Sequence, residues 1–155
     1  MASFGQQALT ERGVSFESHE YDYRKKGARV AAASLGLDPA AMLKTLVVRL
    51  SDGRHLFLLA PGDKEVSMRS LARALDVKSA ELASERDAHR LTGYQVGGIG
   101  PFGSRTPLPV VVDLSAADHE RVYVNGGRRG LILGLTLDDL MTAADAELVD
   151  VGIST

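Results

Sequence analysis

Apolar and polar positions divide this chain into short blocks of two periods. LKTLVVRL and HLFLLA are apolar runs of strand length joined by SDGR. Asp-Gly between two such runs is a strong hairpin signal, so a buried hairpin is predicted over 43–60. Val14 to Tyr21 alternates as a half-buried strand does. PVVVDL, RVYVN and LILGL read as further strands, the last two joined by a tight turn at GGRRG, and AELVDV as a closing one. Helical spacing occupies the gaps. Ser3 with Gln6 forms a capping-box pattern and Gly13 a stop, which predicts a helix near 3–12. Alanine-rich ARVAAASLGL predicts a short helix from about Ala28 to Leu35. Met68, Leu71, Ala72 and Leu75 follow Ser67 at i, i+3, i+4 and i+7 and predict a capped amphipathic helix over 68–75. Another helix is expected between Ser84 and Gly93, and another behind Thr136, where Leu137, Leu140, Met141 and Ala144 share a face.

Helices and strands alternate without a βαβ rhythm, which places the chain in the α+β class, with a mixed and strongly curved sheet. Neither repeat nor linker interrupts the pattern, so one domain is expected over residues 1–155. Composition leaves that picture unchanged: 45% hydrophobic and 25% charged residues are ordinary for a globular protein. No stretch approaches the ~18 apolar residues of a membrane span and the N-terminus has no signal-peptide pattern, so the expected location is the cytoplasm.

Charge and residue inventory narrow the chemistry. With no cysteine, a disulfide framework, a thiolate metal site and a cysteine nucleophile are all excluded. His19, His55, His89 and His119 show no ligand spacing, and no metal site is expected. A formal charge of −2 argues against a nucleic-acid coat protein. Its distribution is uneven: basic residues gather at Arg24, Lys25, Lys26 and Arg29 and again at Arg128 and Arg129, none follows Arg129, and acidic residues crowd the end. Such patches suit contact with a few phosphates, or are simply solvated turns.

Three features carry candidate chemistry. Lys44 stands against the apolar run Leu46-Val47-Val48; it either snorkels to solvent or sits as a cation at the mouth of a pocket. The stretch TGYQVGGIGPFG holds five glycines in twelve residues and must be loop. Its Gly97-Gly98-Ile99-Gly100-Pro101 core is either a plain turn or a cradle whose bare amides converge on an anionic oxygen. Asn125-Gly126-Gly127-Arg128-Arg129-Gly130 is either a solvated hairpin turn or a phosphate contact.

In this order, Lys44-Thr45-Leu46, then Thr92-Gly93-Tyr94 with Val96-Gly97-Gly98-Ile99, Pro101 and Gly103, then Tyr123-Val124 with Gly126-Gly127-Arg128-Arg129-Gly130-Leu131, the chain resembles the YbaK/EbsC family. That family is similar to the editing domain of bacterial prolyl-tRNA synthetases. The resemblance implies a barrel-like mixed sheet with surrounding helices. It also implies hydrolysis of mischarged proline tRNA, foremost the cysteinyl ester, without a cofactor. Its partners would be the aminoacylated 3′ end of tRNA and prolyl-tRNA synthetase. It implies catalytic roles for Lys44, Gly97 and Gly98, and substrate contacts from Tyr21, Thr45, Ile99, Pro101, Asn125, Gly126, Gly127, Arg128 and Arg129. The physical reading agrees, because an aminoacyl ester is already activated and needs only positioning and oxyanion stabilisation. Departures stand at Asn125, where the family tends to carry Ser, at Ile132, where it carries Asp, and at Lys25-Lys26-Gly27, where it carries Phe. They leave open an alanyl or seryl ester, a non-catalytic tRNA- or nucleotide-binding module and an interaction protein of the same fold.

Overall fold

The computed structural model describes residues 1–24, 32, 33 and 35–154. Helix α1 (Phe4–Glu11) begins at a complete capping box. The Ser3 hydroxyl accepts the Gln6 amide at 3.1 Å and the Gln6 side chain accepts the Ser3 amide at 2.8 Å. Gly13, at φ 70°, ends it, and Val14 donates back to the Leu9 carbonyl at 3.0 Å. Val14 therefore closes the helix instead of starting a strand, and β1 runs only from Glu17 to Glu20.

The predicted hairpin is β2 (Leu43–Leu50) and β3 (His55–Pro61), antiparallel from Leu43 opposite Pro61 to Arg49 opposite His55. After β4 (Lys64–Val66) and helix α2 (Met68–Ala74) comes β5 (Ala80–Leu82), then helix α3 (Glu85–Thr92), capped by Ser84 and stopped by Gly93 at φ 78°. The glycine-rich stretch is loop, leading to β6 (Val110–Asp113) and a short 3₁₀ turn at Leu114–Asp118. Strands β7 (Arg121–Asn125) and β8 (Leu131–Thr136) flank the glycine–arginine turn; α4 (Leu137–Ala144), β9 (Glu147–Val149) and β10 (Gly152–Ser154) follow. The helix expected over Ala28–Leu35 falls largely outside the described residues.

These strands pair in three ladders, of order β1-β8-β7, β10-β4 and β5-β2-β3-β6-β9. Parallel pairing of β3 with β6 and of β6 with β9 makes the last one mixed, so the chain is α+β as expected. A bridge between Met42 and Tyr123 ties the five-stranded ladder to the three-stranded one. The core explains the apolar run of β3. Phe57 and Leu59 pack on one face with Leu9, Val122, Leu133 and Leu140, while Leu56 and Leu58 pack on the other with Val48, Leu71 and Val151. A strand covered on both faces has no polar side to show.

One buried carboxylate organises the C-terminal end of the sheet. Asp113 is 1% exposed and accepts the Val151 and Gly152 amides at 2.9 and 2.7 Å, along with the Ser115 hydroxyl and amide. Burial pushes its pKa up. The hydrogen bonds from Ser115, Val151 and Gly152 outweigh that and hold the carboxyl below its ordinary value.

Candidate active site

The candidate site is an opening in the main sheet. β2 pairs with β3 along nearly its whole length but with β5 only over Val48–Leu50. Main-chain groups of a strand alternate sides. The Val47 carbonyl takes the Ala83 amide at 2.9 Å and the Ala41 carbonyl takes the Tyr123 amide at 2.9 Å, so odd-numbered residues direct their main chain away from β3. Between those two bonds Thr45 N–H and C=O face a gap that no strand among the described residues fills. A cavity of about 380 Å³ occupies it, within the range of small-ligand sites.

Lys44, Thr45, Gly97, Ile99, Asn125 and Tyr21 all line this cavity. Apolar side chains from Leu43, Val47, Leu82, Ala88 and Ile132 complete it, and Tyr23 and Glu85 border it as well. Six of the residues anticipated from sequence are thus brought together. Tyr23, Glu85 and Leu82 were not anticipated, since no local pattern marks an exposed helix-start glutamate or a turn tyrosine as cavity-lining.

The Lys44 ammonium donates to the Lys64 carbonyl at 2.6 Å. Burial lowers its pKa from the ordinary lysine value, with Glu65 and Asp63 pulling it back up. An ammonium has three donors, so this bond leaves capacity for a ligand. The Thr45 hydroxyl is buried and has no partner among the described residues. The Tyr21 phenol is held above its ordinary pKa, first by burial and then by Tyr23, against a hydrogen bond from Gly130. It stays protonated at neutral pH and can donate.

The glycine loop is fastened from across the site. Asn125 donates its side-chain amide to the Gly97 carbonyl at 3.1 Å and accepts the Gly127 amide at 2.7 Å, joining the two glycine segments. Arg129 donates to the Val96 carbonyl at 3.0 Å and lies 5.0 Å from the centre of the Tyr23 ring. Gly97 adopts φ 90°, and a Cβ there would overlap the Tyr23 phenol. Its amide has no acceptor among the described residues.

The other anticipated residues lie off the cavity wall. Gly98 donates its amide to the Gln95 carbonyl at 2.8 Å and packs so closely that a Cβ would come within 2.9 Å of the Arg129 nitrogen. Its smallness lets two loops touch, and its N–H is already used. Pro101 is buried beside a different cavity with Phe102 and Leu108. Gly126 donates to the Leu131 carbonyl at 2.9 Å and accepts the Ser3 hydroxyl at 2.6 Å. Arg128 is spent on Glu20 at 3.2 Å and on the Met1 carbonyl at 2.9 Å. Among the described residues no group of three His, Asp or Glu side chains is placed to hold a metal, and no helix is long and apolar enough to cross a membrane.

The sequence profile of the aminoacyl-tRNA editing domain matches residues 24–143. A protein of Enterococcus faecalis, EbsC, named as a candidate Cys-tRNA(Pro)/Cys-tRNA(Cys) deacylase, is 24% identical over 145 residues, 92% of this chain and 88% of that one. The proline–tRNA ligase of Lysinibacillus sphaericus is 38% identical over 106 residues, which are 68% of this chain but 18% of the ligase. The crystal structure of a candidate trans-editing enzyme for prolyl-tRNA synthetase superimposes with a TM-score of 0.89 at 23% identity, covering 99% of both chains.

Proposed function

The chain belongs to the aminoacyl-tRNA editing domain family, and from that premise we propose that it hydrolyses, in trans, the ester joining a wrong small amino acid to the 3′ end of proline tRNA. The observation that carries this reading is that Lys44 and Gly97 border one cavity of about 380 Å³. That space suits an acylated ribose end. The whole chain would act as a single editing domain, and the Met42–Tyr123 bridge supports its ladders curling together as one barrel-like body.

The wall offers opposite charges to a ligand that carries both. Lys44 would hold a phosphate of the terminal nucleotide or polarise the ester, and Glu85, the carboxylate on the wall among the described residues, would take the α-ammonium. The Gly97 amide would stabilise the oxyanion, Gly98 serving only to let the loops approach. The Thr45 hydroxyl, which lacks a partner, would bond the ribose or a water.

Cysteine is the first candidate amino acid, in keeping with the name of the Enterococcus relative. Its thiol sulfur would attack its own carbonyl, the new C–S bond forming as the C–O bond to ribose breaks and the thiol proton passing to the ribose oxygen; water would then open the resulting thiolactone to free cysteine. An alanyl or seryl ester would need water as nucleophile, and the buried apolar Ile132 on the wall suits a methyl side chain at least as well as a thiol. No cofactor takes part in either route. Transient docking to prolyl-tRNA synthetase would deliver the substrate.

The test is a deacylation panel of cysteinyl-, alanyl- and seryl-tRNA on proline-tRNA and cognate bodies. Release from at least one proline-tRNA ester is expected, with Lys44→Ala slowing it at least tenfold, about 1.4 kcal/mol of barrier. Tight binding of tRNA without release of any amino acid would replace the hydrolase with a binding module. Equal rates for cysteinyl and alanyl esters would rule out the thiol route.

A further inference from the structure

A second concavity lies between α2 and β5, the edge strand of the five-stranded ladder, and its rim is cationic. Arg69 and Arg73, one turn apart on α2, join Lys78 around a groove of about 370 Å³ whose floor is Ala72, Val77 and Ala80. All three basic residues are exposed. Six arginines elsewhere are matched by carboxylates, Arg24 with Asp22, Arg49 with Glu81, Arg54 with Asp52, Arg90 with Asp87, Arg121 with Glu17 and Arg128 with Glu20, while Arg12 and Arg129 bond main-chain carbonyls. Arg69, Arg73 and Lys78 pair with no carboxylate among the described residues. Asp76, the nearby acid in sequence, is not part of the groove wall.

Position adds a second argument. Ala80 lines the groove and Leu82 lines the active cavity. Residues two apart on a strand share a face and stand about 7 Å from each other. The groove and the cavity therefore neighbour one another along β5, within reach of a single polymer.

We propose that the groove between α2 and β5 binds the phosphodiester backbone of the RNA whose 3′ end occupies the cavity, with Arg69, Arg73 and Lys78 each meeting a phosphate. This rests on the deacylase reading for the occupant of the cavity. Three cations without internal partners on a chain of net charge −2 concentrate its positive field where a polyanion must pass. The contacts are to backbone and carry no base preference.

The experiment compares the wild type with R69A/R73A/K78A on full-length aminoacyl-tRNA and on a short aminoacyl-adenosine ester, which does not extend to the groove. R12A/R54A/R90A removes the same charge elsewhere as a control. Expected is a tenfold or greater fall in kcat/KM on tRNA for the groove variant alone, with the loss absent for the short ester. Binding of uncharged tRNA should weaken in parallel, its log–log salt slope flattening by about 2 to 3, or roughly 0.7–0.9 per lost phosphate contact. Equal losses on both substrates, or a control variant that matches the groove variant, would overturn the proposal. So would an unchanged salt slope. If the triple variant does not fold, the three single variants of these exposed residues must each flatten the slope by about one contact. Should the wild type hydrolyse no ester at all, the deacylase reading fails on its own, and the tRNA-binding slopes still decide the groove.

Discussion

At the scale of single residues, the site depends on positions where a side chain is forbidden as much as on those where one acts. Gly97→Ala must place a Cβ into the Tyr23 phenol and hold φ near 90°, a conformation that costs an L-residue roughly 1–2 kcal/mol. The expected outcome is a loss of deacylation of at least tenfold with a melting temperature lowered by only a few degrees. A Tyr23→Ala companion should not restore the rate, because the backbone strain remains. Glu85→Gln should raise KM for esters with a free α-amine about tenfold and leave N-acetylated esters unaffected; equal effects on both would remove Glu85 from amine recognition. Lys44 was legible in the sequence as a charge set against an apolar run. Glu85 was not, because a glutamate in the first turn of a helix reads equally well as support for the helix dipole.

At the scale of elements, the hairpin and the capped helices follow from period and punctuation, as the apolar β2–β3 pair and the serine caps at Ser3, Ser67 and Ser84 show. Strands β4, β5 and β10 have three residues each, too few for alternation to register. They form because a partner strand is waiting, and that information is non-local. Asp113 is the clearest such case, joining the end of β6 to the approach to β10. Asp113→Asn should destabilise the fold by about 3 kcal/mol, since charge-assisted bonds to two amides are weakened in a buried place. A carboxyl whose folded pKa lies below the unfolded one contributes stability above the unfolded value, near 3.8, and loses it as pH falls through the folded value. Chemical denaturation midpoints across that acid range should therefore fall less steeply in the asparagine variant than in the wild type.

At the scale of the whole molecule, what the sequence could not reveal is the adjacency of parts far apart along it. The Asn125 bond to Gly97 spans 28 residues and the Ser3 bond to Gly126 spans 123, and no local pattern announces either. The resemblance carried six of the positions that line the cavity, but it did not separate Gly97 from Gly98, whose amides differ only in what lies beside them. The gap alongside Thr45 has a further consequence. An uncovered rung of sheet is a template for any extended polypeptide, and natural folds shield such rungs. Here the glycine loop held by Asn125 and Arg129 borders the gap together with Tyr21 and Tyr23, so the clamps that shape the pocket are expected also to guard against strand pairing between copies. Asn125→Ala with Arg129→Ala should accordingly produce concentration-dependent association in light scattering, beyond that of the wild type, before the helical signal declines, and a short substrate analogue filling the gap should reverse it.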